Sequence, residues 1–434
     1  MVPIEGIRTF LTVMAGIVGF GVLLVALRRQ QHHETTSFAQ IEQQERALRQ
    51  RELDDEQRRI IELRIRATEQ IGSEKAAVRI GGLHNLDHLG ENYPELRQVV
   101  ISEICAYLRM PFHYSSILTQ DTIPVVRELG ARQFEPIGPA RENPSKESFQ
   151  DALQEQQVRK LAQSILSRRL RRNLDTSSSY WDHAYIDLMG AYLDDLDLSD
   201  CCINNGNFEG AIFDGETRFV NADFCGEANF NDTTFKGRAD FRATYFASDA
   251  FFNRSKFVAS AAFQKVTFAV NSIFRGAKFM GNSSFGRVRC YGYAIFRGAY
   301  FHAPVSFSQA LFFERCRFDG AQFKDDASFR EAVFRRFARF PAASFSATAD
   351  FARVYFRRFV SFHMARFSGS TRLSEAVFNR GFQISKCLFR LDDSSTPPKD
   401  HIFSPVTDYW EPGWNRVIRA VPNIPETESL PSSK

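Results

Sequence analysis

Between Phe208 and Phe389, thirty-four positions recur at alternating spacings of five and six residues, and thirty-one of them are Phe. The register runs Phe208, Phe213, Phe219, Phe224, Phe230, Phe235, Phe241 and onward without a slip. Cys290, Leu373 and Ile384 take the remaining slots and are apolar too. Two residues before each slot stands a small or modest side chain, as in Ala211, Thr217, Ala222 and Ala228, with Phe382 the exception. No single helix or strand has this period, so the segment must be a repeated coil with short flat sides. In an extended side, residues two apart face the same way, which points the large and the small residue inward together. Sides of five, six, five and six residues make a coil of 22. Coils stacked by main-chain hydrogen bonds at about 4.8 Å per turn give about eight coils and a rod on the order of 40 Å long.

Upstream, the slots Leu188, Leu193, Leu198 and Ile203 are uniformly five apart. Here Ala191-Tyr192-Leu193 and Leu196-Asp197-Leu198-Ser199-Asp200 resemble the A-[DN]-L-x-x unit of the pentapeptide-repeat family. The resemblance covers residues 186–389 and implies a right-handed quadrilateral β-helix. The chain departs from the family pattern in having Phe for Leu and six residues in alternate units. Two helical stretches, Val78–Leu83 and Cys105–Arg109, are similar to the region that precedes the repeats in bacterial membrane-anchored pentapeptide-repeat proteins. Val158–Arg172 resembles the helix that feeds the first coil. These likenesses imply a module that caps the N-terminal end of the rod, with no activity of its own.

The expected organisation is mixed. Residues 7–29 form a transmembrane anchor, 30–71 a charged helical stalk, 72–175 a small α-helical domain and 186–390 the β-helix. Residues 391–421 follow as a cap segment around Tyr409–Trp414, and 422–434 as a disordered tail. Thr9–Leu27 is an uncharged apolar run of 19 residues, long enough to span a bilayer as a helix. Arg8 precedes it and Arg28-Arg29 follow, a bias that places the bulk of the chain in the cytoplasm. A cleaved signal peptide is the rival reading, and the run lacks a clear small-x-small cleavage site. The stalk is rich in Glu, Gln and Arg without Gly or Pro; it is a lone helix or a coiled coil that joins two copies. Gln133–Lys146 reads as a loop from its Pro and Gly.

Chemistry-bearing motifs are sparse. The seven Cys have no paired spacing, and Cys201, Cys290, Cys316 and Cys387 fall on inward positions as small hydrophobes. His84 and His88 share a helix face, but no third metal ligand has a matching spacing, so no metal is expected. Neither a nucleophile motif nor a phosphate-binding glycine loop is present, and no catalytic residue or cofactor is expected. Asp325-Asp326 points outward among basic neighbours.

Charge says more. The first coils carry Asp187, Asp194, Asp195, Asp197 and Asp200, whereas Phe208–Phe389 holds 26 Lys and Arg against 15 Asp and Glu. At a 22-residue pitch Arg336, Arg358 and Arg380 form a vertical column beside Arg335 and Arg357, with no acid in register. Glu331, Arg353 and Glu375 form an alternating column that pairs internally. Like charges about 5 Å apart repel unless an anion screens them, so the Arg columns are a candidate docking face. The leading expectation is a non-enzymatic membrane-anchored scaffold or adaptor that presents a basic rod to cytoplasmic protein partners, the Arg face being open to an acidic protein, an anionic membrane surface or nucleic acid. One alternative is a topoisomerase-binding DNA mimic, which calls for an acidic, untethered rod. Another is a secreted glycan-acting β-helix enzyme, which calls for a carboxylate pair that is missing. With the Phe rings committed to the interior there is no platform for stacking bases, which argues against nucleic acid.

Overall fold

The computed structural model describes residues 4–112, 146–172, 180–182, 184–384 and 386–391. The C-terminal cap segment and tail expected from sequence, and most of the Gln133–Lys146 loop, lie outside these residues; Lys146 itself opens a helix.

A side of five or six residues leaves only about two for pairing once its corner is made, and most strands of the rod are two residues long. They stack in parallel as a sheet of ten strands, a sheet of nine, and a seventeen-stranded sheet. The last comprises two faces joined by the strand Arg366–Arg372, which pairs with both Ser344–Phe345 and Ala349–Asp350. The result is a four-sided β-solenoid of about nine turns. The extra turn relative to the Phe count is the Leu- and Ile-lined coil that starts at Ile186.

Register shows where the repeat changes. Tyr185 pairs with Asn205 and Tyr192 with Ile212, a pitch of 20 residues. Cys202 pairs with Asp223, a step of 21, and Gly206 with Ala228, a step of 22 that later coils keep, as in Lys256 with Lys278, until the last strand, where Thr371 pairs with Leu391 at 20. The residues added are those of the six-residue sides.

Inside, Phe rings from successive coils stack in columns. Phe252, Phe274, Phe296 and Phe318 follow at centroid steps of 4.7, 4.9 and 4.9 Å, with planes within 6° of parallel. That step exceeds the about 3.5 Å contact thickness of a ring, so the rings are slipped, the arrangement aromatic pairs favour. Neighbouring columns meet edge to face, for example Phe285 and Phe296 at 5.4 Å and 88°. The small partners are equally inside: Ala211, Ala222 and Ala228 are fully buried. Where the partner is Thr or Ser, its hydroxyl donates to a corner carbonyl, as Thr233 Oγ1 does to Phe230 O at 2.7 Å. The interior therefore satisfies hydroxyls such as those of Thr233, Thr244 and Ser255, while the buried Thr371 hydroxyl is left without a partner among the described residues.

The two spacings make two kinds of corner. After a five-residue side the chain turns through a residue with positive φ, two places beyond the inward side chain, and the next N–H returns to that residue's carbonyl. Ala222 N to Phe219 O across Asn221 (φ 55°) is one case. Most of these sites are not Gly, and Ala243, Ala342 and Met364 hold φ of 54–58°. An L-residue there is strained by roughly 1–2 kcal/mol.

At the N-terminal end, α2 (Ala76–Asn92), α3 (Arg97–Arg109) and α4 (Lys146–Leu170) pack together. Helices α3 and α4 also lie on the first strands of the rod, Tyr185–Asp187 and Tyr192–Asp194. Asp87, almost buried on α2, accepts from Arg169 Nε at 2.6 Å and Arg168 Nη2 at 2.7 Å of α4. Arg169 in turn lies over the Trp181 ring at 5.2 Å. The acids of the first coil are spent here: Lys160 bonds Asp194 at 3.1 Å and Asp195 at 3.3 Å, and Arg109 bonds Asp187.

Before this module, α1 (Ile4–Ile71) is one uninterrupted helix of 68 residues across the expected anchor and stalk. No Pro or Gly falls between Gly21 and Gly72 to break it. Its segment Arg8–Ala26, with mean hydropathy 2.3, is long and apolar enough to cross a membrane.

Phe296→Ala, in mid-column, is expected to cost about 3–5 kcal/mol in denaturant unfolding; a loss below about 1 kcal/mol would place the ring outside the core. Met364→Gly should stabilise by about 1 kcal/mol through release of left-handed strain, read as a rise in the unfolding midpoint. Asp87→Ala removes the acid that Arg168 and the nearly buried Arg169 share, leaving Arg169 only Glu91, and is expected to destabilise the helical module by roughly 2 kcal/mol, followed by hydrogen exchange in α2 and α4.

Candidate interaction face

The corner between the nine-stranded and ten-stranded faces is a six-residue corner, with no left-handed residue in the coils of Arg336 and Arg358 and with Gly381 (φ 93°) beside Arg380. It lies between Val333–Phe334 and Ala338–Arg339 in one coil, and between Tyr355–Phe356 and Val360–Ser361 in the next. The pairings Phe312–Phe334 and Phe334–Phe356 put Arg335 and Arg336 directly beneath Arg357 and Arg358, and Phe356–Phe378 places Arg380 above. Both Arg columns are therefore real neighbours in space.

They are not wholly without partners, which corrects the sequence expectation. Arg335 lies over the Phe313 ring at 4.4 Å, and Phe313 stacks on Tyr291 at 4.3 Å. Arg336 Nε is 3.6 Å from Glu314 Oε1, one coil below, in an exposed and long contact. Such a pair contributes little. Both partners stand 22 residues before their arginine, so the same column arithmetic finds them once it is carried one coil down.

Repulsion concentrates higher up. Arg380 foremost, then desolvation, Arg336 and Arg357, hold the Arg358 guanidinium below its ordinary range. Arginine does not give up its proton near neutral pH, so the strain is relieved only by an anion or by salt. At several other places on the rod, basic groups pair with acids within reach. Arg353 Nη2 pairs with Glu331 at 2.6 Å, and Glu331 also accepts from Gln309 at 2.7 Å, which receives Arg287 at 2.7 Å. Arg238 and Arg242 share Asp240, and Arg254 pairs with Asp232.

Beside the Arg column runs an outward aromatic strip that sequence reasoning missed, because it treated Phe as interior. Tyr293 and Phe337 are exposed by 46% and 43%, and Arg315 sits over Phe337 at 5.7 Å. Phe337 and Phe359 lie one above the other and, with Arg315, Arg339, Ser361 and Gln383, line a shallow groove of about 340 Å³. The signal was available: Phe313, Phe337 and Phe359 fall outside the inward register.

The other candidates give little chemistry. His84 and His88 are exposed on α2, and no cluster of metal-ligating side chains occurs among the described residues. Asp326 uses its carboxylate to accept Thr348 N at 2.9 Å, a corner contact between coils. Cys201, Cys290 and Cys316 are buried, and Cys387 is partly exposed.

A stacked, four-sided solenoid with an alternating large–small interior defines a repeat protein. Residues 198–245 and 285–333, both within the solenoid, match the model for pentapeptide repeats, in nine copies. Neither the curated proteins nor the solved structures contain a match.

Arg358→Gln is expected to raise the thermal midpoint at low ionic strength. The gain should vanish near 1 M salt, where the Debye length falls to about 3 Å.

Proposed function

We propose that the protein is a non-catalytic, membrane-anchored scaffold whose rod docks an acidic protein partner at the Arg335–Arg380 corner. The observation that carries this reading is the Arg336–Arg358–Arg380 column, whose mutual repulsion a carboxylate-rich partner would relieve. The groove between Phe337 and Phe359 supplies apolar contact beside the charge, the combination found at protein interfaces. The 19-residue apolar segment supports anchoring, and Arg28-Arg29 after it support a cytoplasmic rod. The exposed surface of α1 between Leu48 and Ile65 leaves room for a second copy along the stalk.

The test uses full-length protein and a fluorescent acidic peptide, with anionic vesicles and duplex DNA in parallel. Wild type should bind the peptide and lose it as salt rises, and the triple variant Arg336→Glu, Arg358→Glu, Arg380→Glu should weaken binding at least about tenfold. Peptide binding unchanged by the triple variant, or binding confined to vesicles or DNA, sinks the proposal. Protease protection in sealed membranes tests which side the rod occupies.

A further inference from the structure

Cys202 and Cys225 stand 23 residues apart, one more than a full coil, and show no pairing signal in the sequence. They meet where the pitch lengthens from 20 to 22 residues. There two outward side chains on successive coils of the nine-stranded face converge, and their sulfurs lie 3.4 Å apart. Cys225 is exposed, Cys202 nearly buried, and both are free thiols.

The surroundings are polar and charged. Arg172, just past the end of α4, donates from Nη2 to the Cys202 sulfur at 3.1 Å and bonds Asp223 through Nη1. A guanidinium in that place stabilises negative charge arising on sulfur. Burial and its hydrogen bond to Cys202 push the Cys225 thiol up to about 11, so it remains an S–H aimed at its neighbour. The other cysteines have no second thiol beside them at this distance among the described residues, and burial pushes Cys105, Cys201 and Cys290 up to about 12, although Arg171 lies beside Cys201.

We propose that Cys202 and Cys225 are a peroxide-responsive thiol pair that closes into an intrachain disulfide, stapling the first coils beneath the helical module. The Cys202 sulfur, its proton lost to solvent, attacks one oxygen of hydrogen peroxide. The O–O bond breaks, hydroxide leaves and Cys202 becomes a sulfenic acid. Cys225 sulfur then attacks Cys202 sulfur, the S–O bond breaks, and the departing hydroxide leaves as water with the Cys225 proton. Two thiols are oxidised by two electrons, one peroxide is reduced and two waters form. The sulfurs must approach by about 1.4 Å to reach disulfide length. A small thiol reductant reverses the bond by exchange. The proposal stands apart from the docking face and from the compartment of the rod.

The experiment treats reduced full-length protein with hydrogen peroxide, alkylates the remaining thiols and maps the peptides by mass spectrometry. The expected result is a Cys202–Cys225 crosslinked peptide about 2 Da lighter than its two thiol halves, reversed by dithiothreitol. The free thiols should fall from seven to five. In Cys225→Ser, a change at an exposed position, dimedone should trap a sulfenic acid on Cys202. Links that join other cysteines or two chains, thiols that stay at seven, or a Cys225→Ser chain with no dimedone adduct on Cys202 would overturn it.

Discussion

The rise of one β-coil and the slipped stacking of benzene rings have nearly the same length, and the rod depends on that match. Parallel strands repeat at about 4.8 Å, while Phe rings in one column step by 4.5–5.2 Å. Each coil can thus place four rings over four rings with no change of rotamer from turn to turn. Rings in adjacent columns meet edge to face, so the interior is dense without any long-range sheet packing. Ala, Ser and Thr two places earlier keep the walls close, and the hydroxyls satisfy corner carbonyls rather than competing with them.

Because the interior is fully occupied, variation falls on the corners and outer walls. Each five-residue corner forces one residue into the left-handed region, two per coil, and the chain accepts Ala, Met and Arg there. Six-residue corners relax that demand and can carry long side chains such as Arg336 and Arg358. Stacking then turns any residue type that recurs every 22 positions into a column. Alternating signs give a self-satisfied ladder, as at Gln309, Glu331 and Arg353, and a single sign gives a charged stripe. The acidic first coil ends differently: Lys160 and Arg109 of the helical module pair with Asp194, Asp195 and Asp187, so these acids seat the cap.

Much of this was legible in the chain. The inward register, the small partners and the 22-residue pitch follow from periodicity, because a solenoid converts sequence spacing directly into height and angle. The Arg columns were legible for the same reason. What escaped was whatever depends on a side chain leaving its own column or on a change of pitch. The Phe313 ring beneath Arg335 and the outward strip of exposed Phe337 and half-buried Phe359 escape a reading that assigns Phe inward as a type rather than by slot. The Cys202–Cys225 contact was invisible because it crosses a place where the repeat length shifts.

By itself, the sequence determined a four-cornered coil, its aromatic interior and a 19-residue apolar segment near the N-terminus. Only the tertiary structure decided which charges neutralise one another, since ion pairs form over a few ångströms and a 22-residue separation specifies height but not side-chain direction. It also decided that anchor and stalk are one continuous helix, and that Trp181, Arg169 and Asp87 tie the helical module together. Those contacts join residues with no periodic relation, which spacing alone does not encode.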